Sequence, residues 1–339
     1  MNTQEKVLDV KGLKVSFFTD DGEVPAVDDI DFYVRKGEVL GIVGESGCGK
    51  SVTSLSVMGL IPSPPGKIVG GSIKLNDEEL TKASEKRMRQ IRGNDIAMIF
   101  QEPMTSLNPL FTIGNQLMDS MLIHKKGNKR EAKKRAIDML KLVGLPRAEE
   151  LMNDYPHQLS GGMRQRVMIA MAMVCDPKLL IADEPTTALD VTIQAQILKL
   201  MKRLNVELNT AIMLITHDLG VVAETCERIV VMYAGKVVET GASIDIFKDP
   251  QHPYTRGLIQ SVPDMRYKKQ RLYSIPGNVP KPGSIKTGCR FADRCEFAFD
   301  RCRQEDPPLY HTAEGRSTRC FLFDEKEGAA HDSRATVES

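Results

Sequence analysis

Between about Val7 and Phe247 the chain alternates short apolar runs with stretches of helical spacing. VLGIVG (Val39–Gly44), IAMIF (Ile96–Phe100), LLIAD (Leu179–Asp183) and AIMLIT (Ala211–Thr216) are continuous apolar runs of strand length. Runs of this kind read as strands buried on both faces. VTIQAQILKLMKRLNVEL (Val191–Leu208) carries its apolar residues at helical spacing, and VMIAMAMV (Val167–Val174) reads as a buried helix. Near the front, LKVSFF and GEVPAVDDIDFYV alternate apolar with polar residues, which predicts antiparallel strands. RIVVMYAGKVVETG (Arg228–Gly241) reads as a hairpin turning near Ala234-Gly235. The pattern predicts an α/β domain with a mainly parallel core sheet and antiparallel strands beside it.

From about Pro250 the texture changes. Proline and glycine become frequent, as in SIPGNVPKPGS (Ser274–Ser284), and the periodicity fades. The division expected is a main domain over residues 1–260, a small irregular domain over 261–324 and a disordered tail over 325–339. The basic run HKKGNKREAKKR (His124–Arg135) reads as a solvated loop and helix face.

Length and charge narrow the function. The 339 residues exceed what one hydrophobic core usually supports. Basic and acidic residues nearly balance at 46 against 45, which argues against a nucleic-acid binder. The opening MNTQEKVLDV lacks the apolar core of a signal peptide. No apolar run approaches the roughly 18 residues of a membrane helix. A cytoplasmic protein is expected, with any membrane link made through a partner. Its seven cysteines would then stay reduced rather than form disulfides.

GESGCGKS (Gly44–Ser51) matches G-x-x-x-x-G-K-S/T between an expected strand and an expected helix. Gly44, Glu45, Ser46, Gly47, Cys48 and Gly49 would turn backbone N–H groups towards a phosphate chain. Lys50 would reach the β- and γ-phosphates, and Ser51 would ligate Mg²⁺. LLIADEP delivers Asp183 and Glu184 to a strand end. There Asp183 suits Mg²⁺ held through water, and Glu184 suits activation of the attacking water. LSGGMRQR (Leu159–Arg166) adds a second anion-binding helix start at Ser160, Gly161 and Gly162. Two phosphate sites with one lysine-bearing loop suggest that the second closes on a nucleotide held by another subunit.

With these motifs the chain resembles the nucleotide-binding subunit of an ATP-binding cassette (ABC) transporter over residues 7 to about 247. The resemblance implies a helical subdomain beside the core and antiparallel sheets. It also implies that Gln101 touches Mg²⁺ and the attacking water, that His217 in ITHD holds the γ-phosphate, and that Asp190 of ALD crosses a dimer interface. Phe17, with Phe18 as alternative, would stack on adenine. Met163 stands where the general signature has glutamine.

QHPYTRGLI (Gln251–Ile259), IPGNVP (Ile275–Pro280) and GCRFADRC resemble the C-terminal extension of oligopeptide and dipeptide importers. That branch implies a D-type ATPase that pairs head to tail with a homologous F-type ATPase subunit or a second copy. It further implies two transmembrane permease subunits, an extracytoplasmic substrate-binding protein acting indirectly, and a peripheral place on the cytoplasmic face of the membrane. Nickel is the alternative solute. Cys289, Cys295, Cys302 and Cys320 are spaced C-x5-C-x6-C-x17-C. This is looser than common zinc pairs and leans towards a 4Fe–4S cluster, with zinc or unligated thiols as alternatives. Cys48, Cys175 and Cys226 are isolated and expected to be inert. ATP binding by the cassette is expected to be indifferent to this tail. Competing functions are a soluble cassette ATPase and an ATPase governed by an iron–sulfur sensor.

Overall fold

Each apolar run at the centre of the chain is a parallel strand with alternate residues in two different cores. The computed structural model describes residues 5–101, 106–186, 190–262 and 273–324. The expected disordered tail and the first two residues of ALD lie outside them. Twelve strands are numbered here in chain order. The antiparallel sheet contains β1 (Lys6–Thr19), β2 (Gly22–Arg35), β4 (Gly66–Leu75) and β5 (Glu78–Glu79), in the order β2-β1-β4-β5. The larger sheet contains β3 (Val39–Val43), β6 (Ile96–Ile99), β7 (Leu179–Asp183), β8 (Ala211–Thr216), β9 (Arg228–Tyr233), β10 (Lys236–Ala242), β11 (Tyr310–Ala313) and β12 (Arg316–Thr318). Its order is β11-β12-β10-β9-β3-β8-β7-β6, parallel from β9 to β6.

This arrangement explains the unbroken apolar runs. On β3, Leu40 and Ile42 pack towards the antiparallel sheet, while Val39 and Val43 pack towards the helices. On β8, Met213 and Ile215 take the first side, Ile212 and Leu214 the second. The helical side is built by Ile113–Ile123, Lys129–Leu142, Gly161–Met173 and Val191–Leu208. The basic run enters Lys129–Leu142, which buries Ala132, Ala136, Met139 and Leu140. Its lysines and arginines take the opposite face, as amphipathic spacing requires.

The hairpin of β9 and β10 turns at Ala234 and Gly235, both with positive φ. Beyond it the structure goes further than the periodicity foretold. β12 pairs antiparallel with β10, and β11 with β12, so the C-terminal segment extends the main sheet. These strands are only four and three residues long, too short to leave a period in the sequence. Glu239 on β10 is fully buried and accepts from the N–H groups of Gln251 and His252, both at 2.9 Å. The carboxylate thereby fixes the residues leading into the helix Pro253–Gln260, whose first turn the His252 side chain caps by accepting from Tyr254 N.

Glu38 and Arg228 tie the two sheets together from inside. Arg228 Nε donates to Glu38 Oε1 at 2.8 Å, and the side chains are 8% and 4% exposed. The guanidinium also donates to the Tyr33 carbonyl and lies 3.9 Å from the centre of its ring. Removing one partner of a buried pair leaves an uncompensated charge, which costs about 3–5 kcal/mol. Arg228→Met is therefore expected to lower stability to urea by roughly that amount. Adding Glu38→Gln should recover part of the loss, and additive losses in the double variant would show that the two are not coupled.

Candidate nucleotide-binding site

The loop Gly44–Ser51 joins β3 to the helix Lys50–Val57 in a conformation that side chains at its glycines would prevent. Gly44 has φ 153°, and a Cβ there would stand 2.2 Å from the carbonyl oxygen of Met232. Gly49 has φ 102°, and a Cβ would stand 2.9 Å from the Ala26 carbonyl oxygen. The loop is also pinned at its middle, where Gly235 N donates to the Cys48 carbonyl at 2.9 Å. Cys48 is fully buried beneath it, and burial raises its thiol pKa. Lys50 is nearly buried and donates from Nζ to the carbonyls of Gly44 (2.7 Å) and Glu45 (3.0 Å). The ammonium is thus held under the loop by acceptors that phosphate oxygens could replace.

Asp183 and Glu184 end β7 side by side but do different things. Asp183 accepts from Ser51 Oγ at 3.4 Å and from Ser54 Oγ at 3.2 Å. Burial raises its pKa, and the two serine hydroxyls work against that rise. Glu184 has a left-handed φ of 48°, which turns its side chain out of the strand line. It accepts from Gln101 Nε2 at 3.1 Å and faces His217 Nδ1 at 3.1 Å. Strand ends β6, β7 and β8 therefore bring Gln101, Glu184 and His217 to one point. A carboxylate held there between an amide and an imidazole can accept a proton from water.

A cleft of about 400 Å³ opens beside the loop. Its lining includes Phe17, Ser46, Gly47, Lys50, Ser51 and Gln101. Phe17 is half-buried, whereas Phe18 is 48% exposed. Ser160, Gly161 and Gly162 are not part of that lining. Ser160 caps the helix Gly161–Met173 by accepting from Met163 N at 3.4 Å, and space is open around Gly161. Asp190 caps Val191–Leu208 by accepting from Ile193 N at 2.9 Å.

Four side chains at the site were missed in the sequence. Ser54 lies three residues after Ser51 on one helix, so helical spacing puts the two hydroxyls on one face, and the fold brings Asp183 to that face. Pro282 lines the cleft, and Arg294 and Tyr254 hold Glu45. No local pattern connects residues so distant in the chain.

The ABC transporter family profile matches residues 27–187, and the profile of the oligopeptide/dipeptide transporter C-terminal region matches 238–302. The chain is 55% identical over 323 residues to the oligopeptide transport ATP-binding protein AppD of Bacillus subtilis, covering 95% of this chain and 98% of that one. It is 52% identical over 314 residues to the dipeptide transport ATP-binding protein DppD of Escherichia coli, covering 93% and 96%. The chain belongs to the ABC transporter ATP-binding proteins. Among solved structures, it resembles the ATP-binding cassette MJ0796 in a dimeric post-hydrolysis state bound to ADP and Pi. The TM-score is 0.62 at 28% identity, over 70% of this chain and 98% of that one. ABC membership implies ATP with Mg²⁺. The glycine loop and the hydroxyl and carboxylate oxygens of Ser51 and Asp183 fit that pair in shape and in donor chemistry.

Cys289, Cys295, Cys302 and Cys320 all line one small cavity of about 20 Å³, together with Phe291, Phe299 and Phe321. All four are free thiols. Burial pushes Cys289 and Cys320 up to about 12 and Cys295 to about 11. Among the described residues, no three of His, Cys, Asp or Glu stand so as to hold a single metal ion. The donors thus suit a soft metal in kind, while their spacing does not suit one ion.

The hydroxyl of Ser54 supplies a direct test. A hydrogen bond to a carboxylate contributes about 1.5–3 kcal/mol and favours its charged form, equivalent to roughly one to two pKa units. Ser54→Ala should therefore raise the Asp183 pKa further. The acid limb of ATP hydrolysis is expected to move up by about one pH unit, with little change on the alkaline side. An unmoved acid limb would show that Ser54 does not support the ionised carboxylate.

Proposed function

We propose that this protein is the ATP-hydrolysing, energy-coupling subunit of a membrane importer for di- or oligopeptides. The observation that carries the reading is the Gln101–Glu184–His217 meeting point beside a glycine loop that suits a triphosphate. The solute class rests on relatives named for oligopeptide and dipeptide transport and on the matching C-terminal region, which favour peptides over nickel. Phosphates would lie against the N–H groups of Gly44–Ser51 with Lys50 on the β- and γ-phosphates. Ser51, Gln101 and Asp183 would hold Mg²⁺, which neutralises charge on the transferred group. Glu184 would take the proton of the attacking water, and His217 would hold the γ-phosphate. Phe17 would stack on adenine.

Ser160, Gly161 and Gly162 would serve a different ATP, held by a partner subunit packed head to tail, with Asp190 at the interface. Their position outside this chain's own cleft and the exposure of the helix start support that. A homologous F-type ATPase or a second copy would be that partner, and two permease subunits would take up the motion at the cytoplasmic face. Among the described residues, no helix is long and apolar enough to cross a membrane. The main chemical unit would span residues 1–260 and the extension 261–324.

For the tail we propose a structural 4Fe–4S cluster on Cys289, Cys295, Cys302 and Cys320. Its support is that four separated thiols share one cavity. A four-iron cluster attaches each thiolate to a different iron, whereas zinc needs all four sulfurs about 2.3 Å from one centre. The cavity must widen to accept the cluster, and the raised thiols must lose their protons.

Three outcomes test these assignments. Glu184→Gln should bind ATP yet turn over about 10²–10⁴-fold more slowly, whereas Lys50→Ala should weaken binding itself. Wild-type turnover by Glu184→Gln would remove the base assignment. Ser160→Arg should leave ATP binding by the isolated chain near normal while abolishing turnover in the assembled transporter. Loss of binding in the isolated chain would contradict the head-to-tail arrangement. Anaerobically prepared protein should contain about four irons per chain, reduced by serine at any of the four cysteines. Zinc in their place would refute the cluster identity, and an ordered, metal-free segment would refute both.

A further inference from the structure

The C-terminal extension grips the phosphate loop. Arg294 lies in the short turn Ala292–Arg294, immediately before Cys295. Its guanidinium is bidentate on Glu45, with Nη1 to Oε2 at 2.7 Å and Nη2 to Oε1 at 3.1 Å. The Arg294 side chain is 5% exposed. Its Nε donates to the Pro276 carbonyl at 2.8 Å, so the arginine is fixed on the extension and not merely leaning from it. Glu45 is held from another side as well: its N–H donates to the Tyr254 hydroxyl at 2.8 Å. Tyr254 is fully buried against Tyr233 and Phe291. Pro282 lines the same cleft. The tail is therefore in direct contact with the phosphate loop.

Glu45 follows Gly44 directly, in a loop whose chemistry suits a polyanion. An unpaired carboxylate in that loop would add a negative charge next to the segment that would receive phosphates. Bidentate pairing with a buried arginine neutralises it and fixes its direction. We infer that Arg294 is a positioning residue for ATP, supplied by the cysteine-bearing extension to hold and neutralise Glu45 of the phosphate loop. The thiol-lined segment is then a support of the nucleotide site. Cys289 N donates to the Cys302 carbonyl at 2.7 Å, and Ala292 N to the Cys289 carbonyl at 3.0 Å. The turn that carries Arg294 is thus hydrogen-bonded directly to the cysteine segment. This inference rests on the ATPase reading above.

The test is ATP affinity of the full chain by calorimetry, with melting temperature measured in parallel. Arg294→Met should weaken ATP binding by roughly 10-fold or more, because it leaves Glu45 charged and unpaired. The double variant Arg294→Met/Glu45→Gln should recover most of that loss, since the carboxylate is then neutral. A purely structural role would lower the melting temperature in both variants and give no such recovery. Should Arg294→Met fail to fold, Arg294→Lys keeps the charge and loses the bidentate fork, with an intermediate loss expected. Wild-type affinity in the single variants, or a double variant as weak as Arg294→Met, would overturn the inference while leaving the ATPase reading intact. A wild-type chain that binds no ATP would overturn both.

Discussion

A single methyl group at the first residue of the phosphate loop would collide with the strand beside it. The carbonyl of Met232 stands 2.2 Å from where a Cβ on Gly44 would be. That closeness is the constraint on which the rest depends. It exists because β9 runs parallel to β3 in full register, with Val43 opposite Val231. The chain leaving β3 has no room except in a tight, glycine-borne turn. Such a turn leaves backbone N–H groups facing one space at a helix start, which suits an anion. The neighbouring strand ends then deliver Gln101, Asp183, Glu184 and His217 around the same space. The sheet order and the chemistry are thus one arrangement.

Much of this was legible in the sequence because it is carried by local patterns. Continuous apolar runs announced β3, β6, β7 and β8, since a strand covered on both faces needs apolar residues at every position. The glycine spacing of the loop marks positive φ, which other residues adopt with strain. The pair Asp183-Glu184 was visible as acids at a strand end. Their different surroundings were not, because Ser51 and Ser54 reach Asp183 across more than a hundred residues of chain.

The C-terminal segment was the least legible. Its strands have no readable period, and it holds the core through the β10–β12 pairing, through Phe291 packed on Tyr233 and Tyr254, and through polar contacts between distant residues. Glu239 on the N–H groups of Gln251 and His252, Arg294 on Glu45 and Arg290 on Asp28 each join residues that sequence spacing cannot pair. Cysteine spacing suggested a shared site for four thiols, and the four line one cavity. It could not show that the same segment would abut the nucleotide loop. A proline-rich, weakly periodic stretch thus reaches the phosphate loop through one buried arginine.

Recognition of nucleotide through its phosphates is the proposal on which the others rest: the glycine loop, Lys50 and Asp183 would address phosphate and metal, and Phe17 would address the base. Calorimetric titration of the full chain with ATP, ADP and AMP, each with Mg²⁺, tests it most directly. Affinity should fall steeply as phosphates are removed, with AMP at least about 100-fold weaker than ATP, a difference of roughly 2.7 kcal/mol. Equal affinities for ATP and AMP would contradict the claim, because binding would then be carried by the base and ribose and the glycine loop would hold nothing.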